Sequence, residues 1–278
     1  MCILFFKFNP DAKDPADYKL ILAANRDEYY HRPAKSAQFW SHNPEVLSGL
    51  DMEEGRQGGA WLGVSRSGRL SGISNCLLLP LRPDAKGKGC LVADFLASEL
   101  DCLSYTQKVA KEANQYNGFN LICAEFQQFQ KAVMCYFNNF NNSNPVLLEP
   151  GIYGLGNATL NTPWTKLLYG KRLFTNVINR AVEIAGDSLT QRLMHILSNK
   201  ESQLPDPLLE ETLLTHNYMQ NHVEEFSALC VESPSIGTRT HTVILINAKG
   251  EVTFTERTLV SKETAQWQTS SFRFTIHP

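Results

Sequence analysis

The chain begins Met1-Cys2-Ile3, and its second apolar run ends in Asn25-Arg26-Asp27-Glu28. If Met1 is removed, Cys2 carries a thiol and a free α-amine on one residue. The amine titrates near about 7.7–8.0 and the thiol near about 8.5. The amine can therefore act as the thiol's general base without a histidine, as in other nucleophiles paired with an N-terminal amine. Such a residue works best at the start of a rigid strand, which Ile3-Leu4-Phe5-Phe6 supplies. Taken alone, Cys2 is better explained as a small buried hydrophobe. The charged quartet at the end of the neighbouring apolar run tips the reading towards chemistry.

Other groups could serve a site. Gly55-Arg56-Gln57-Gly58-Gly59-Ala60-Trp61-Leu62-Gly63 can present backbone N–H groups to an anion. It lacks the Gly-Lys-Ser/Thr of a phosphate loop and reads more readily as the lead-in to a hairpin. If it lines a pocket, Trp61 offers a flat apolar face. Arg239, in Gly237-Thr238-Arg239-Thr240, could grip a carboxylate or phosphate with two parallel bonds; its ordinary alternative is a surface ion pair. Asp51, Glu53 and Glu54 lack a histidine at metal-binding spacing and read as an exposed acidic loop, so no metal is expected. The seven histidines read as surface or packing residues.

The groups must be positioned by ordered structure, and the composition provides for it. The chain has 278 residues, 43% hydrophobic and 19% charged, as expected of a folded protein with a large core. A net charge of −2 without a basic stripe argues against nucleic acid as a partner. Seven scattered cysteines, an odd number with no Cys-x-x-Cys, fit reduced thiols rather than a disulfide framework. No secretory or transit segment is evident, and no apolar run approaches a membrane span. Acylation of Cys2 would give only transient membrane association. The glycosylation patterns at Asn141 and Asn157 are read as chance.

Strands are predicted at 2–8, 18–25, 60–65, 69–75, 119–126, 133–137, 146–148 and 153–155. Four more follow at 226–232, 240–247, 251–257 and 271–276. Helices are expected at 90–100 and 103–113. Another should start at Thr162-Pro163, with Thr162 as N-cap, and bury Phe174, Val177, Ile178, Ala181, Val182 and Ala185. The next should start at Ser188, with Gln191 closing a capping box; Gln203 to His222 should connect it onward. Strand blocks separated by helix pairs indicate an α+β fold. Runs such as Leu20-Ile21-Leu22-Ala23-Ala24 are apolar on both faces and must be covered on both. Two stacked sheets with helices outside meet that demand, giving a four-layer α-β-β-α sandwich in one domain over 1–278.

The ordered matches run through the chain. They are Met1-Cys2-Ile3, Leu20-Ile21-Leu22-Ala23-Ala24-Asn25-Arg26-Asp27-Glu28 and Leu47-Ser48-Gly49-Leu50-Asp51-Met52-Glu53-Glu54-Gly55. They continue with Gly59-Ala60-Trp61-Leu62-Gly63, Tyr116-Asn117-Gly118-Phe119-Asn120-Leu121, Thr162-Pro163-Trp164, Gly237-Thr238-Arg239 and Phe254-Thr255-Glu256-Arg257. In these the chain resembles the transport and Golgi organization protein 2 family, also called the NRDE proteins, and its vertebrate-type members in particular. The resemblance implies an N-terminal-nucleophile-hydrolase-like fold. It also implies roles in intracellular haem trafficking and in lipid or acyl-CoA homeostasis, and an association with cytoplasm, mitochondria and Golgi. It brings no settled enzymatic activity and no required cofactor.

In cysteine hydrolases of that superfamily an arginine and an aspartate near the end of the second strand hold the amine and the thiol. Arg26 and Asp27 resemble them, with the spacing between the two shifted. Asn157 resembles the amide that steadies the oxyanion, with Asn75 as a second candidate, and Arg239 resembles a further site arginine. Cys2, Asp27, Asn157 and Arg239 are therefore expected to converge as a catalytic set, with Arg26, Trp61 and Asn75 at the ligand. Two functions follow. One is a carrier of an apolar anionic ligand, haem or acyl-CoA. The other is an amide or thioester hydrolase using Cys2.

Overall fold

The computed structural model describes residues 2–78, 80–128, 131–140, 144–181 and 186–277. Six of its strands are β1 (Cys2–Phe8), β2 (Tyr18–Tyr29), β3 (Ala34–Phe39), β4 (Val46–Asp51), β5 (Leu62–Ser65) and β6 (Arg69–Asn75). Helices α1 (Gly89–Ala97) and α2 (Cys102–Lys111) separate these from β7 (Phe119–Glu125), β8 (Val133–Asn138), β9 (Val146–Leu147) and β10 (Gly151–Leu155). Next come α3 (Thr165–Ile178), α4 (Gly186–Leu197), α5 (Pro207–Leu213), α6 (Asn217–Gln220) and α7 (Val223–Phe226). The last strands are β11 (Ile236–Asn247), β12 (Glu251–Ser261) and β13 (Gln266–Thr275).

Two antiparallel sheets result, in the orders β10-β1-β2-β11-β12-β13 and β3-β4-β5-β6-β7-β8-β9. Successive strand residues point to opposite faces, and the two-faced apolar runs use both. Leu4, Phe6 and Phe8 of β1 join Leu20, Leu22, Ile244 and Ile246 in a cluster shared with Leu62, Val64, Leu70 and Ile122 of the second sheet. Ile3, Phe5, Ile21, Ala23, Val243 and Leu245 face the other way, onto Leu167, Phe174, Leu189 and Leu193 of α3 and α4. The second sheet turns Leu121, Cys123, Cys135 and Phe137 onto Leu91, Phe95, Tyr105 and Val109 of α1 and α2. The layers therefore run α-β-β-α. Full burial of each Phe of β1 contributes about 1.5–3 kcal/mol. β1 lies inside its sheet between β10 and β2, as its apolar sequence requires. The fold is thus α+β, a four-layer α-β-β-α sandwich, with Cys2 opening an interior strand.

Some local expectations need correction. β3 and β4 were not foreseen, because Ala34–Phe39 is half-exposed and weakly patterned and Val46–Asp51 contains a buried serine and glycine. Residues 226–232 do not form a strand; α7 ends in them and a buried irregular segment follows. Its backbone is satisfied by side chains and neighbouring loops instead. Lys166 Nζ donates to Phe226 O at 2.7 Å, Asn25 Nδ2 to Leu229 O at 2.8 Å, and Val231 N to Thr238 Oγ1 at 2.8 Å. Helix α3 starts at Thr165 rather than Thr162, because Asp206, distant in sequence, accepts from Thr165 N at 2.6 Å. The same carboxylate caps α5 through Leu209 N at 3.1 Å. Helix α4 already begins at Gly186, ahead of Ser188. Asn141, Val182 and Ala185 lie outside the described residues. Among the described residues no helix is long and apolar enough to cross a membrane.

Candidate functional site

Cys2 stands opposite Arg26 on β2. Its backbone nitrogen donates to Asn157 Oδ1 at 2.9 Å, and Asn157 Nδ2 donates to Asn75 O at 2.8 Å. Asn157 is thus a clamp that ties the start of β1 to the end of β6. One of its amide N–H groups is already spent on a carbonyl, so in this structure it holds the nitrogen of Cys2 rather than offering that group to an oxyanion. The Cys2 thiol is raised above its ordinary range, chiefly by burial, while Arg26 beside it acts in the opposite sense.

Asp27 lies one residue further along β2, on the helix-facing side. Its Oδ1 accepts from Thr238 Oγ1 at 2.5 Å, across the β2–β11 pairing that sets Thr238 opposite Asp27. Burial raises its carboxyl, and the buried Lys166 and the Thr238 bond pull it back. Lys166 is itself lowered to about 8 by burial, with Asp27 and Asp206 counteracting. Lys166 and Thr238 were not picked out from sequence. A lysine in an amphipathic helix reads as solvent-facing, and only its position at Phe226 O reveals it as interior.

Cys2, Arg26, Asp27, Trp61 and Asn75 line one cavity of about 870 Å³, within the usual size range of ligand sites. Asn157 touches Cys2 from behind, outside that lining. Arg26 stacks over Trp61, its guanidinium 4.1 Å from the ring centroid, a cation–π contact. Gly49 makes room for that ring: a Cβ there would sit 2.3 Å from Trp61 Cζ2. Arg26 also lies 3.7 Å from Glu28. Asp51 is committed to Arg32, through bonds of 3.2 and 2.7 Å, and does not form an open acidic loop.

The structure does not bring Arg239 to the cavity. A register shift between Thr238 and Thr240 places it at a bulge, which re-aims a side chain. Its Nη1 donates to Tyr29 O at 3.1 Å and to Arg32 O. Arg239 therefore braces the turn that carries Arg32. Arg239→Ala should lower stability by about 1.5–3 kcal/mol, the worth of hydrogen bonds to a charged group, as read from urea denaturation midpoints.

Sequence reading also missed a basic wall of the cavity. Arg56, Arg82, Lys86 and Lys88 line the same cavity. Lys88 precedes α1, and its Nζ donates to Gly118 O at 3.0 Å. Burial lowers it to about 8, and the nearby Cys2 and Cys76 thiols oppose that shift. The only signal was the spacing of basic residues between glycines, which in a single sequence resembles any solvated loop.

A family model described as Transport and Golgi organisation 2 matches residues 1–261. The chain belongs to the Transport and Golgi organisation 2 family. The Transport and Golgi organization 2 homolog of Mus musculus is 48% identical over 99% of both chains. The Homo sapiens homolog is also 48% identical over 99% of both. Transport and Golgi organization protein 2 of Drosophila melanogaster is 32% identical over 93% of this chain and 92% of its own. Among solved structures, a mutant conjugated bile acid hydrolase from Clostridium perfringens aligns at 10% identity over 98% of this chain and 92% of that one, with a TM-score of 0.38. The strand carrying Cys2, the Asn25–Glu28 run and Trp61 all fall inside the stretch matched to the Transport and Golgi organisation 2 family.

Proposed function

We propose that this family member binds and hands on an anionic small molecule with an apolar part, an acyl-CoA in preference to haem, in the cavity beside Cys2. The cavity lining supports this reading. Trp61, Ala60 and Ile73 give it an apolar floor, and six Lys or Arg side chains line it against four Asp or Glu. An acyl thioester needs only an apolar face and cations. Haem usually needs an axial ligand; this lining offers Cys2 and Cys90 and, among the described residues, no imidazole. Such cargo would be exchanged in the cytoplasm by transient contact with Golgi and mitochondrial surfaces.

Equilibrium binding of palmitoyl-CoA tests the reading. It should saturate, and Trp61→Ala should weaken it about tenfold or more, since fully burying an aromatic side chain is worth about 1.5–3 kcal/mol. Cys2→Ala should keep the affinity, because a thiol adds little contact area. Absence of saturable binding would sink the carrier reading.

The grip of Asn157 on the Cys2 nitrogen favours a second reading, the hydrolase. Once Met1 is removed, the amine takes the thiol proton and Sγ attacks a thioester carbonyl. The leaving thiolate departs with that proton, and water releases the acyl group from Cys2. Release of free thiol from palmitoyl-CoA that disappears in Cys2→Ala, in protein whose intact mass lacks Met1, would replace carriage with catalysis.

A further inference from the structure

The carboxylates of the cavity are unevenly placed. Glu28 lies 3.7 Å from Arg26 and 3.6 Å from Arg32, and Asp51 pairs with Arg32 at 2.7 Å. The fourth carboxylate, Asp94, lines the cavity from α1. Arg56, Arg82, Lys86 and Lys88 of the same cavity have no carboxylate within salt-bridge distance among the described residues. Their bonds go to carbonyls instead: Arg56 Nη2 to Ala85 O at 3.3 Å, Arg82 Nη2 to Asn114 O at 2.5 Å, and Lys88 Nζ to Gly118 O at 3.0 Å. A carbonyl positions a cation without neutralising it.

Two glycine loops bring these cations together. Ala60 N donates to Gly89 O at 3.0 Å, and Gly59 and Gly89 approach so closely that a Cβ on Gly89 would lie 2.9 Å from Gly59 Cα. Gly55 and Gly58 adopt φ of +73° and +82°, which suit glycine and turn the first loop around the cavity. Helix α1 opens at the junction with no acidic residue in its first turn and no side-chain cap on its N-terminus, and Gly89 and Cys90 line the cavity there. Helix N–H groups and the macrodipole favour an anion at that place.

We propose that the loops at 55–59 and 82–89 form a phosphate subsite that holds the diphosphate of a soluble ester ligand through Arg56, Arg82, Lys86 and Lys88, with the ligand's other end directed to Cys2 and Trp61. The proposal deepens the acyl-ligand reading and rests on it for the direction of that other end. Arginine forks and lysine point charges are the groups that recognise phosphate oxygens. The same cations could in principle meet a lipid headgroup. Arg82 and Lys86 are exposed, but all four cations line one cavity with Trp61 and Cys2, and that shared lining favours a free ester whose second end reaches these residues.

Titration calorimetry of the full chain with inorganic pyrophosphate tests the subsite. The wild type should bind saturably, and more weakly as salt rises. Arg56→Gln and Lys86→Gln should each weaken binding about tenfold to hundredfold, the worth of a charge-assisted bond. Neither side chain is fully buried, so both variants should fold. Lys249→Gln, on an exposed turn outside the cavity, should leave affinity unchanged. Failure of pyrophosphate to bind, or equal loss in Lys249→Gln, would overturn the subsite. Palmitoyl-pantetheine, which lacks phosphate, separates the two proposals. If it binds and pyrophosphate does not, the acyl reading stands and the subsite falls. If pyrophosphate alone binds, the subsite stands without the acyl end. Binding to phosphatidic acid vesicles without binding of pyrophosphate would reassign the cations to a lipid surface and overturn the proposal.

Discussion

Lowering the pH from about 6.5 to about 3 should remove up to about 4–5 kcal/mol of folding stability through His241 alone. His241 is buried against Trp267, with ring centroids 4.7 Å apart. Its Nδ1 lies 2.6 Å from Asn25 Oδ1. Both amide hydrogens of Asn25 go to carbonyls, Leu197 O at 2.9 Å and Leu229 O at 2.8 Å, so the amide oxygen must accept and Nδ1 must carry the hydrogen. The neutral ring satisfies this arrangement. Burial, with Arg257 nearby adding repulsion, lowers the histidine to about 3. In the unfolded chain it takes up a proton below about 6.5. Between these values the unfolded state binds more protons, so stability rises with pH, is complete above about 6.5 and falls as pH drops towards 3. Carboxylates titrate in the same range, so the informative quantity is a difference. Urea denaturation across pH 3–7 should show wild type losing more stability than His241→Gln, by up to one proton in slope. Parallel curves would mean that the histidine does not keep its neutral form in the fold.

The same network shows what a sequence can and cannot disclose. Apolar runs with both faces greasy, such as Leu20–Ala24 and Val243–Ile246, announce a strand covered twice, and from this the four layers follow. Cys2 and the Asn25–Glu28 run announce a site because their chemistry is unusual for the ends of apolar strands. Cross-strand pairing then sets Cys2 opposite Arg26 and Thr238 opposite Asp27. The partners that finish the site are harder to see. Asn157 was placed near Cys2 by resemblance, yet its actual contacts, Cys2 N and Asn75 O, depend on how β1 meets the end of β6. Arg239 was drawn into the site by the same resemblance, and a one-residue bulge turns it to the Tyr29 and Arg32 carbonyls. Lys166 carries no local signal, and Lys88 and Arg56 carry only their place among glycines. A charged side chain becomes structural or ligand-facing only when a distant carbonyl or loop sits beside it, and one sequence does not encode that proximity by spacing.

Replacing Asn157 with leucine should cost about 2–6 kcal/mol and release Cys2. Asn157 is buried, and its two ends meet Cys2 N and Asn75 O. Leucine satisfies neither, and each buried backbone group left without a partner costs about 1–3 kcal/mol. The loss falls on a residue that bonds both to Cys2 at the start of β1 and to Asn75 at the end of β6, so local opening at β1 should accompany the drop in Tm. Alkylation of Cys2 by iodoacetamide, followed by mass spectrometry of the N-terminal peptide, reads that opening. The rate should rise well above wild type, because the thiol loses the burial that holds it protonated. Asn157→Asp separates the two bonds. Its carboxylate still accepts from Cys2 N, but places an oxygen against Asn75 O. A protonated carboxyl can donate to that carbonyl, so this variant should recover stability as pH falls below its own titration and lose it as pH rises. Asn157→Leu should show no such trend relative to wild type. If Asn157→Asp instead matched wild type at neutral pH, the bond to Asn75 O would contribute nothing, and Asn157 would act on Cys2 alone.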